Sequence, residues 1–157
     1  MHVGGLDPMT PAACQFWVGG KPVAQGSMIA RTVKGTTFVV PHNDGELKRW
    51  RRAIALVARG VWQAGPYEGR VLESAVRLRL QFAVLPPASD PHRPHPITRS
   101  SGDLDKLCRA LLDALTGVVY RDDSQVVSLT ASKIHRAEGP GVFVAVGAAD
   151  TDMTLPT

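Results

Sequence analysis

The chain has 157 residues, of which 44% are hydrophobic and 20% charged, and its formal net charge is +4. This composition is typical of one globular domain and excludes wholesale disorder, while no apolar run reaches the ~18 residues of a membrane span. Because the N-terminal residues also lack the charged start and apolar run of a signal peptide, we expect a cytoplasmic protein without a membrane partner.

The positive charge has two explanations, a polyanionic partner or a solvated basic surface. Cysteine usage gives a further expectation about the compartment. Cys14 and Cys108 form no CxxC pair, and Cys108 falls on the apolar side of a predicted helix. We therefore expect buried free thiols in a reducing environment rather than a disulfide.

The first part of the chain predicts two short strands. Residues 15–18 form a strand candidate that leads into a turn at 19–22, and residues 23–34 read as a loop. The β-branched and aromatic run at 36–40 predicts the second strand, and Pro41 ends it.

A helix is expected from Glu46 to Gln63, with Asn43 or Asp44 as its cap. Its predicted apolar stripe recurs at steps of three and four and consists of Leu47, Trp50, Ile54, Val57 and Val61. Its cations fall mainly off that stripe: Lys48, Arg49, Arg51, Arg52 and Arg59. They indicate either a solvated surface or a face that binds phosphates.

Residues 71–85 alternate between apolar and polar side chains, which predicts a strand with Arg77 and Arg79 on its polar face. Residues 86–101 carry five prolines and read as a loop. A zinc site at His92 and His95 is disfavoured, because neither a CxxC pair nor other ligands accompany them. The loop directly precedes an acidic segment, which favours a role in gripping substrate or as a lid.

The last part of the chain predicts a second helix that ends at Gly117. Its apolar face consists of Leu104, Leu107, Cys108, Leu111 and Leu115. A tight turn at 121–124 follows, then a strand at 125–134 with 142–146 as its antiparallel partner. We expect one domain over residues 15–147, with flexible ends at 1–14 and 148–157.

Four acids flank the second helix: Asp103, Asp105, Asp122 and Asp123. Residues two apart on a helix point about 200° from each other, so the first two can share a ligand only if Asp103 precedes the first full turn. Each acid also has a structural explanation. Asp103 fits a helix N-cap, Asp105 a carboxylate favoured by the helix dipole, and the later pair plain turn residues.

Taken together, the four acids favour a metal site. Carboxylates brought close repel each other unless a cation neutralises them, and Mg²⁺ prefers carboxylate oxygens. A metal there can activate water and stabilise charge on a phosphodiester, with Lys106 or Arg109 nearby. The residues alone thus predict a metal-dependent phosphodiesterase.

Residues 103–127, DLDKLCRALLDALTGVVYRDDSQVV, resemble the central segment of the RusA family of Holliday junction resolvases. That family shows D-x-D-N/K-L, a helix ending in D-A-L, and then D-D-[SA]-Q-[VI]. Gly20-Lys21-Pro22, Gln25-Gly26 and Trp50-Arg51 are also similar to phage-borne and prophage-borne members. The resemblance covers roughly Phe16 to Val146.

The resemblance implies a compact α+β domain, with a mixed sheet and two main helices. It also implies a homodimeric endonuclease that needs Mg²⁺, or Mn²⁺ as a substitute, and cuts four-way DNA junctions in recombination and repair. A symmetric dimer would present two equivalent sites to a two-fold junction, using apolar surface on the first helix or on the 71–85 strand.

Residue by residue, the resemblance gives catalytic roles to Asp103, Asp105 and Asp123, with Asp122 as the alternative or an added ligand. Arg109 stands where the family often has lysine, and arginine keeps the charge but cannot donate a proton. Lys106 replaces a common asparagine. Asp113 also matches and is interpreted as structural, paired with Arg109 at i,i+4.

The predicted DNA-binding residues are cations along the chain: Lys21, Arg31, Lys34, Lys48, Arg49, Arg51, Arg52, Arg77, Arg79, Arg99 and Lys106. Two other functions stay open. One is a protein that recognises branched DNA without cutting it, and the other a metal-dependent phosphohydrolase of small nucleotides.

Overall fold

The computed structural model describes residues 14–26, 28–41 and 43–149. The expected flexible ends lie largely outside these residues, although Cys14 and Ala148 are themselves strand residues. The elements in chain order are β1 (Cys14–Gly19), β2 (Met28–Val33), β3 (Thr36–Pro41), α1 (Asp44–Ala64), β4 (Val76–Val84), α2 (Leu104–Leu115), β5 (Val126–His135) and β6 (Gly141–Ala148).

The main sheet is mixed and has the strand order β1-β6-β4-β5. Strand β6 is antiparallel to both β1 and β4, whereas β4 and β5 are parallel. The α+β prediction is therefore confirmed. The expected pairing of 142–146 with the 125–134 strand is wrong, because β4 lies between them. Parallel β4 and β5 need a long crossover, which the proline-rich loop and α2 supply.

Both helices lie on one face of this sheet and cover its core. On α1 the buried residues are Leu47, Trp50, Ile54, Ala58 and Trp62. The predicted stripe is thus right at its start and rotated by one residue at its end, where Val57 and Val61 are half-buried. Strand β4 is central, with Val76, Leu78, Leu80 and Phe82 buried, so its apolar face cannot supply a dimer surface.

Residues 28–33, expected to be part of a loop, form a strand instead. Strands β2 and β3 pair as an antiparallel hairpin separate from the main sheet. Its two central residues, Lys34 and Gly35, have φ values of 50° and 80°. Two consecutive positive φ values define the type I′ turn that suits two-residue hairpins, so Lys34-Gly35 was the missed signal.

The two cysteines are both free and buried, as predicted. Cys14 lies in β1 and Cys108 on the buried side of α2. Among the described residues, no helix is long and apolar enough to cross a membrane.

Candidate active site

Asp103 occupies the N-cap position of α2, as expected, but its side chain makes no capping hydrogen bond. Only its backbone carbonyl is used, accepting from the Leu107 N–H at 2.9 Å. The carboxylate is instead exposed and lies 3.4 Å from the Lys106 ammonium. Asp105 follows in the first helical turn and is also exposed. Both carboxylates are therefore accessible to a ligand.

Lys133 fixes the backbone just before Asp103. From β5, its Nζ donates to the Gly102 carbonyl at 2.7 Å and to the Ser101 hydroxyl at 3.0 Å. Gly102 has φ 82°, which suits glycine at this sharp entry into α2. Sequence reasoning missed Lys133. Its signal was a lysine on the same face of β5 as the apolar residues Leu129 and Ala131.

Asp122 and Asp123 have different surroundings. Asp122 caps a short 3₁₀ turn: its carboxylate accepts from the Ser124 N–H at 2.8 Å, while its own N–H donates to the Gln125 side chain at 3.0 Å. The Gln125 amide in turn donates to the Leu72 carbonyl at 2.9 Å. Hydrogen bonds from Ser124 hold the pKa of Asp122 below its ordinary value. Asp123 takes no part in this cap and is exposed.

Asp105 and Asp123 line the same open cleft of about 660 Å³, which we call the acidic cleft. Arg109 lines it too, and apolar side chains complete its wall. Burial and the negative charge of Asp105 raise the pKa of the Cys108 thiol to about 11. Burial and, next, the charge of Asp123 raise the pKa of Tyr120. The two acids thus lie on neighbouring sides of one cavity.

Asp103 lines an adjoining cleft of about 450 Å³. Across residues 14–26, 28–41 and 43–149, no three His, Cys, Asp or Glu side chains converge tightly enough to form a metal cluster. The four predicted metal ligands are therefore not assembled as one group, and Asp122 is committed to its cap. Asp105 and Asp123, which line one cleft, still fit Mg²⁺, because this ion commonly takes one or two carboxylates and fills its other positions with water and phosphate oxygens.

Cations surround these acids. Lys21, Arg99 and Lys106 line the Asp103 cleft. Arg109 is exposed and makes no ion pair within the described chain, and it lines a third cleft together with Asp105 and Lys106. Lys21 lies in the loop of residues 20–26, which we call the Lys21 loop. This loop is held against α2 because the Gln25 N–H donates to the Lys106 carbonyl at 3.1 Å.

Asn43 fixes the other end of that loop. Its side chain accepts from the Gly26 N–H at 3.0 Å and donates to the Ala24 carbonyl at 2.7 Å. It was expected as a possible cap of α1, yet its side chain makes no cap bond there. A Cβ at residue 26 would lie 2.5 Å from the Asn43 Oδ1, so glycine is required for this close approach.

The structure corrects the expected partner of Asp113. Its Oδ2 lies 2.7 Å from the Arg51 guanidinium of α1 and is not paired with Arg109. The same Arg51 nitrogen donates to the Gln25 side chain at 2.8 Å. Arg51, predicted to contact DNA, is therefore a half-buried link between α1, α2 and the Lys21 loop.

The other predicted DNA-binding residues lie on three surfaces. Lys48, Arg49 and Arg52 are exposed on α1, although Lys48 pairs with Asp44 at 2.9 Å. Arg31 and Lys34 are exposed on the β2–β3 hairpin. Arg77 and Arg79 point from β4 to the face of the sheet opposite the helices, because the alternate positions fill the core. The acidic cleft lies on the helix side, so these last two do not adjoin it.

Replacing Asp122 with Ala should lower the melting temperature near neutral pH, because the cap of the 3₁₀ turn is lost. The pKa of Asp122 is lowered from 3.8, so its contribution is fully present above that value and is lost as the pH falls through the lower folded pKa. The difference in melting temperature from the unchanged protein should therefore shrink on acidification, as circular dichroism can measure. Asp123→Ala is the matched control and should show no such gap; a gap that is constant with pH would contradict the capping role.

A comparison with protein-family models matches residues 19–147 to the model described as endodeoxyribonuclease RusA. The match covers most of the chain and includes α1, the proline-rich loop, α2 and all four acids. The resemblance seen in the sequence is thereby confirmed. No curated protein matches the chain.

Proposed function

Because the chain belongs to the RusA family of endodeoxyribonucleases, which resolve Holliday junctions, we propose that it cuts four-way DNA junctions in a reaction that depends on Mg²⁺ or Mn²⁺. The observation that carries this proposal is the acidic cleft, which is lined by Asp105, Asp123 and an Arg109 that forms no ion pair with any described residue. Two carboxylates beside a free guanidinium suit a phosphodiester, since the acids can hold a cation and the arginine can contact a phosphate oxygen.

Asp105 and Asp123, which share the acidic cleft, would hold the metal, and Asp103 would contribute from the neighbouring cleft. When bound, a divalent cation there would lower the pKa of a coordinated water and neutralise charge that develops on the phosphate. Asp103 suits this role because its carboxylate is not used as a helix cap. Asp122 suits it less, since its oxygens already accept from Ser124.

The cations of the chain have separate tasks in this proposal. Arg109 lines the acidic cleft together with Asp105 and Asp123 and would stabilise negative charge on the scissile phosphate. It cannot protonate the leaving oxygen, because arginine does not lose its proton in proteins, so the proton must come from water. Lys21, Arg99 and Lys106 would bind the neighbouring phosphates of the same strand, and this contact would be weakened by salt.

A homodimer is part of the proposal, because a symmetric junction needs two equivalent sites for paired cleavage. Strand β5 supports it: it is an edge of the sheet, and Val127, which does not line the acidic cleft, is 56% exposed along it. An exposed apolar edge strand is a ready surface for a second chain. Light scattering coupled to gel filtration measures the oligomeric state directly.

The test is cleavage of a synthetic four-way junction by the purified protein, beside a linear duplex of the same sequence. We expect paired nicks at symmetry-related positions of the junction in Mg²⁺, none with a chelator, and none on the duplex. Binding without cutting in both Mg²⁺ and Mn²⁺ would favour a recognition protein. Hydrolysis of free nucleotides alone would favour a small-nucleotide phosphohydrolase.

A further inference from the structure

A separate cavity of about 330 Å³ lies beneath the proline-rich loop, at the end of the sheet where β4 and β5 finish. Its walls are mostly apolar and include Pro22, Val84 and Pro140. Cations and hydroxyl groups lie at its rim, among them Lys21, Arg93 and Thr98, and no carboxylate of the described residues lines it. An apolar slot with a positive rim suits a planar, uncharged ring attached to an anionic backbone.

The walls are fixed by hydrogen bonds to the sheet. The Arg93 carbonyl accepts from the His135 Nδ1 of β5 at 2.7 Å. Ser101 is buried, and its hydroxyl lies 2.6 Å from the Thr98 carbonyl and accepts from Lys133 at 3.0 Å. On the opposite wall, the Gly20 N–H donates to the Pro140 carbonyl at 3.1 Å. A cavity held from both sides is a pre-formed one, as ligand sites usually are.

Its cations are available to a ligand. Arg93 uses its Nε toward Asp90 at 3.3 Å, and its two terminal nitrogens form no hydrogen bond or ion pair with other described residues. Lys21 is exposed and pairs with no acid in the described chain. The rim therefore keeps positive charge for a phosphate.

The cavity adjoins the candidate active site. Lys21, Pro22 and Ser100 line both this cavity and the cleft that contains Asp103. Ser101 lies in the cavity wall only two residues before Asp103, so their Cα atoms are at most ~7 Å apart. A strand with one phosphate at the acids would bring an adjacent nucleotide to the cavity mouth.

We propose that this cavity binds one unpaired nucleobase of the DNA strand being cut, next to the scissile phosphate. This assignment rests on the proposed cleavage of junctions. It adds that the enzyme binds one base of the junction in addition to its phosphates. A base must leave its stack to enter a pocket, and this costs least where pairing is already broken, as at a branch point. The site would thus favour junction DNA over linear duplex and fix which phosphate reaches the acids.

The test combines a filled cavity with DNA that lacks one base. Thr98→Trp places an indole in the cavity, and Ile97→Trp is the matched control, because Ile97 is 82% exposed and does not line the cavity. Four-way junctions carry a single abasic site at each position around the cut. For the unchanged protein we expect one abasic position to lower kcat/KM about tenfold, the effect of losing one stacked base. Thr98→Trp should lower kcat/KM on the intact junction by a similar factor and be insensitive to that abasic site, while Ile97→Trp should behave like the unchanged protein.

If no abasic position alters cleavage, or if Thr98→Trp keeps the full sensitivity, the assignment is overturned while junction cleavage still stands. If the unchanged protein binds the junction but cuts none, cleavage has failed and the same abasic series is measured as Kd, with the same two outcomes. If it neither binds nor cuts, both proposals fail. Thermal melts check folding, and Leu85→Trp, at a residue that lines this cavity and not the Asp103 cleft, replaces Thr98→Trp if that variant does not fold.

Discussion

Replacing Asp105 with Asn is expected to lower the rate of junction cleavage by on the order of 10²- to 10³-fold while leaving the affinity for the junction nearly unchanged. Asparagine keeps the size of the side chain and removes the charge that would attract a cation into the acidic cleft. The fold should tolerate the change, because Asp105 is exposed and makes no ion pair in the described chain. Binding should persist, since it depends on the surrounding cations.

The measurement is single-turnover cleavage in Mg²⁺ together with a gel-shift titration on the same junction. Asp122→Asn is the matched control: it removes the same charge from an exposed acid that already caps a turn. It should retain most of the activity, whereas Asp123→Asn should behave like Asp105→Asn. Equal losses at Asp122 and Asp123 would show that Asp122 takes part in the reaction as well as in the cap. Loss of folding in Asp105→Asn would make that acid structural.

The sequence was most informative where the spacing of residues within one short segment determines its local structure. Helix α2 followed from the spacing of Leu107, Leu111 and Leu115, whereas the preceding Ser101-Gly102 only permitted Asp103 to lie ahead of its first turn. The acids themselves could be predicted because they are concentrated within about one helix length in an otherwise basic chain. Their division into Asp105 and Asp123 on one cleft and Asp122 on a cap needed the fold.

What could not be predicted depends on contacts between distant segments. The parallel pairing of β4 with β5 cannot be predicted from the alternation of apolar and polar side chains in either strand. That alternation is compatible with any neighbouring strand. Lys133 is a polar residue on the same face of β5 as Leu129 and Ala131, so pattern reasoning sees it only as an irregularity. Its partners, Ser101 and Gly102, are more than thirty residues away in sequence. Hydrogen bonds between distant segments therefore position the candidate site, whereas its acidic residues can be recognised within one short stretch of sequence.

The role of Arg51 likewise depends on contacts with distant segments of the chain. Sequence reasoning placed it with the exposed cations of α1, but it links Asp113 at 2.7 Å and Gln25 at 2.8 Å. Arg51→Ala should lower the free energy of unfolding by about 2 kcal/mol, because it leaves the half-buried Asp113 carboxylate and the Gln25 amide without their partner. It should also reduce cleavage, since Gln25 belongs to the loop that carries Lys21. Urea unfolding followed by tryptophan fluorescence measures the first effect.

Arg52→Ala is the matched control, one residue along the same helix and exposed. It should leave stability unchanged and instead lower the slope of log K against log[salt] for junction binding by about 0.9, if Arg52 contacts one phosphate. The double variant Arg51→Ala/Asp113→Ala separates the two explanations of Arg51. If the pair is structural, removing Asp113 as well should recover part of the lost stability, because the unpaired carboxylate is gone. If Arg51 acts on DNA, the second change would recover nothing, and Arg51→Ala alone would flatten the salt dependence as Arg52→Ala does.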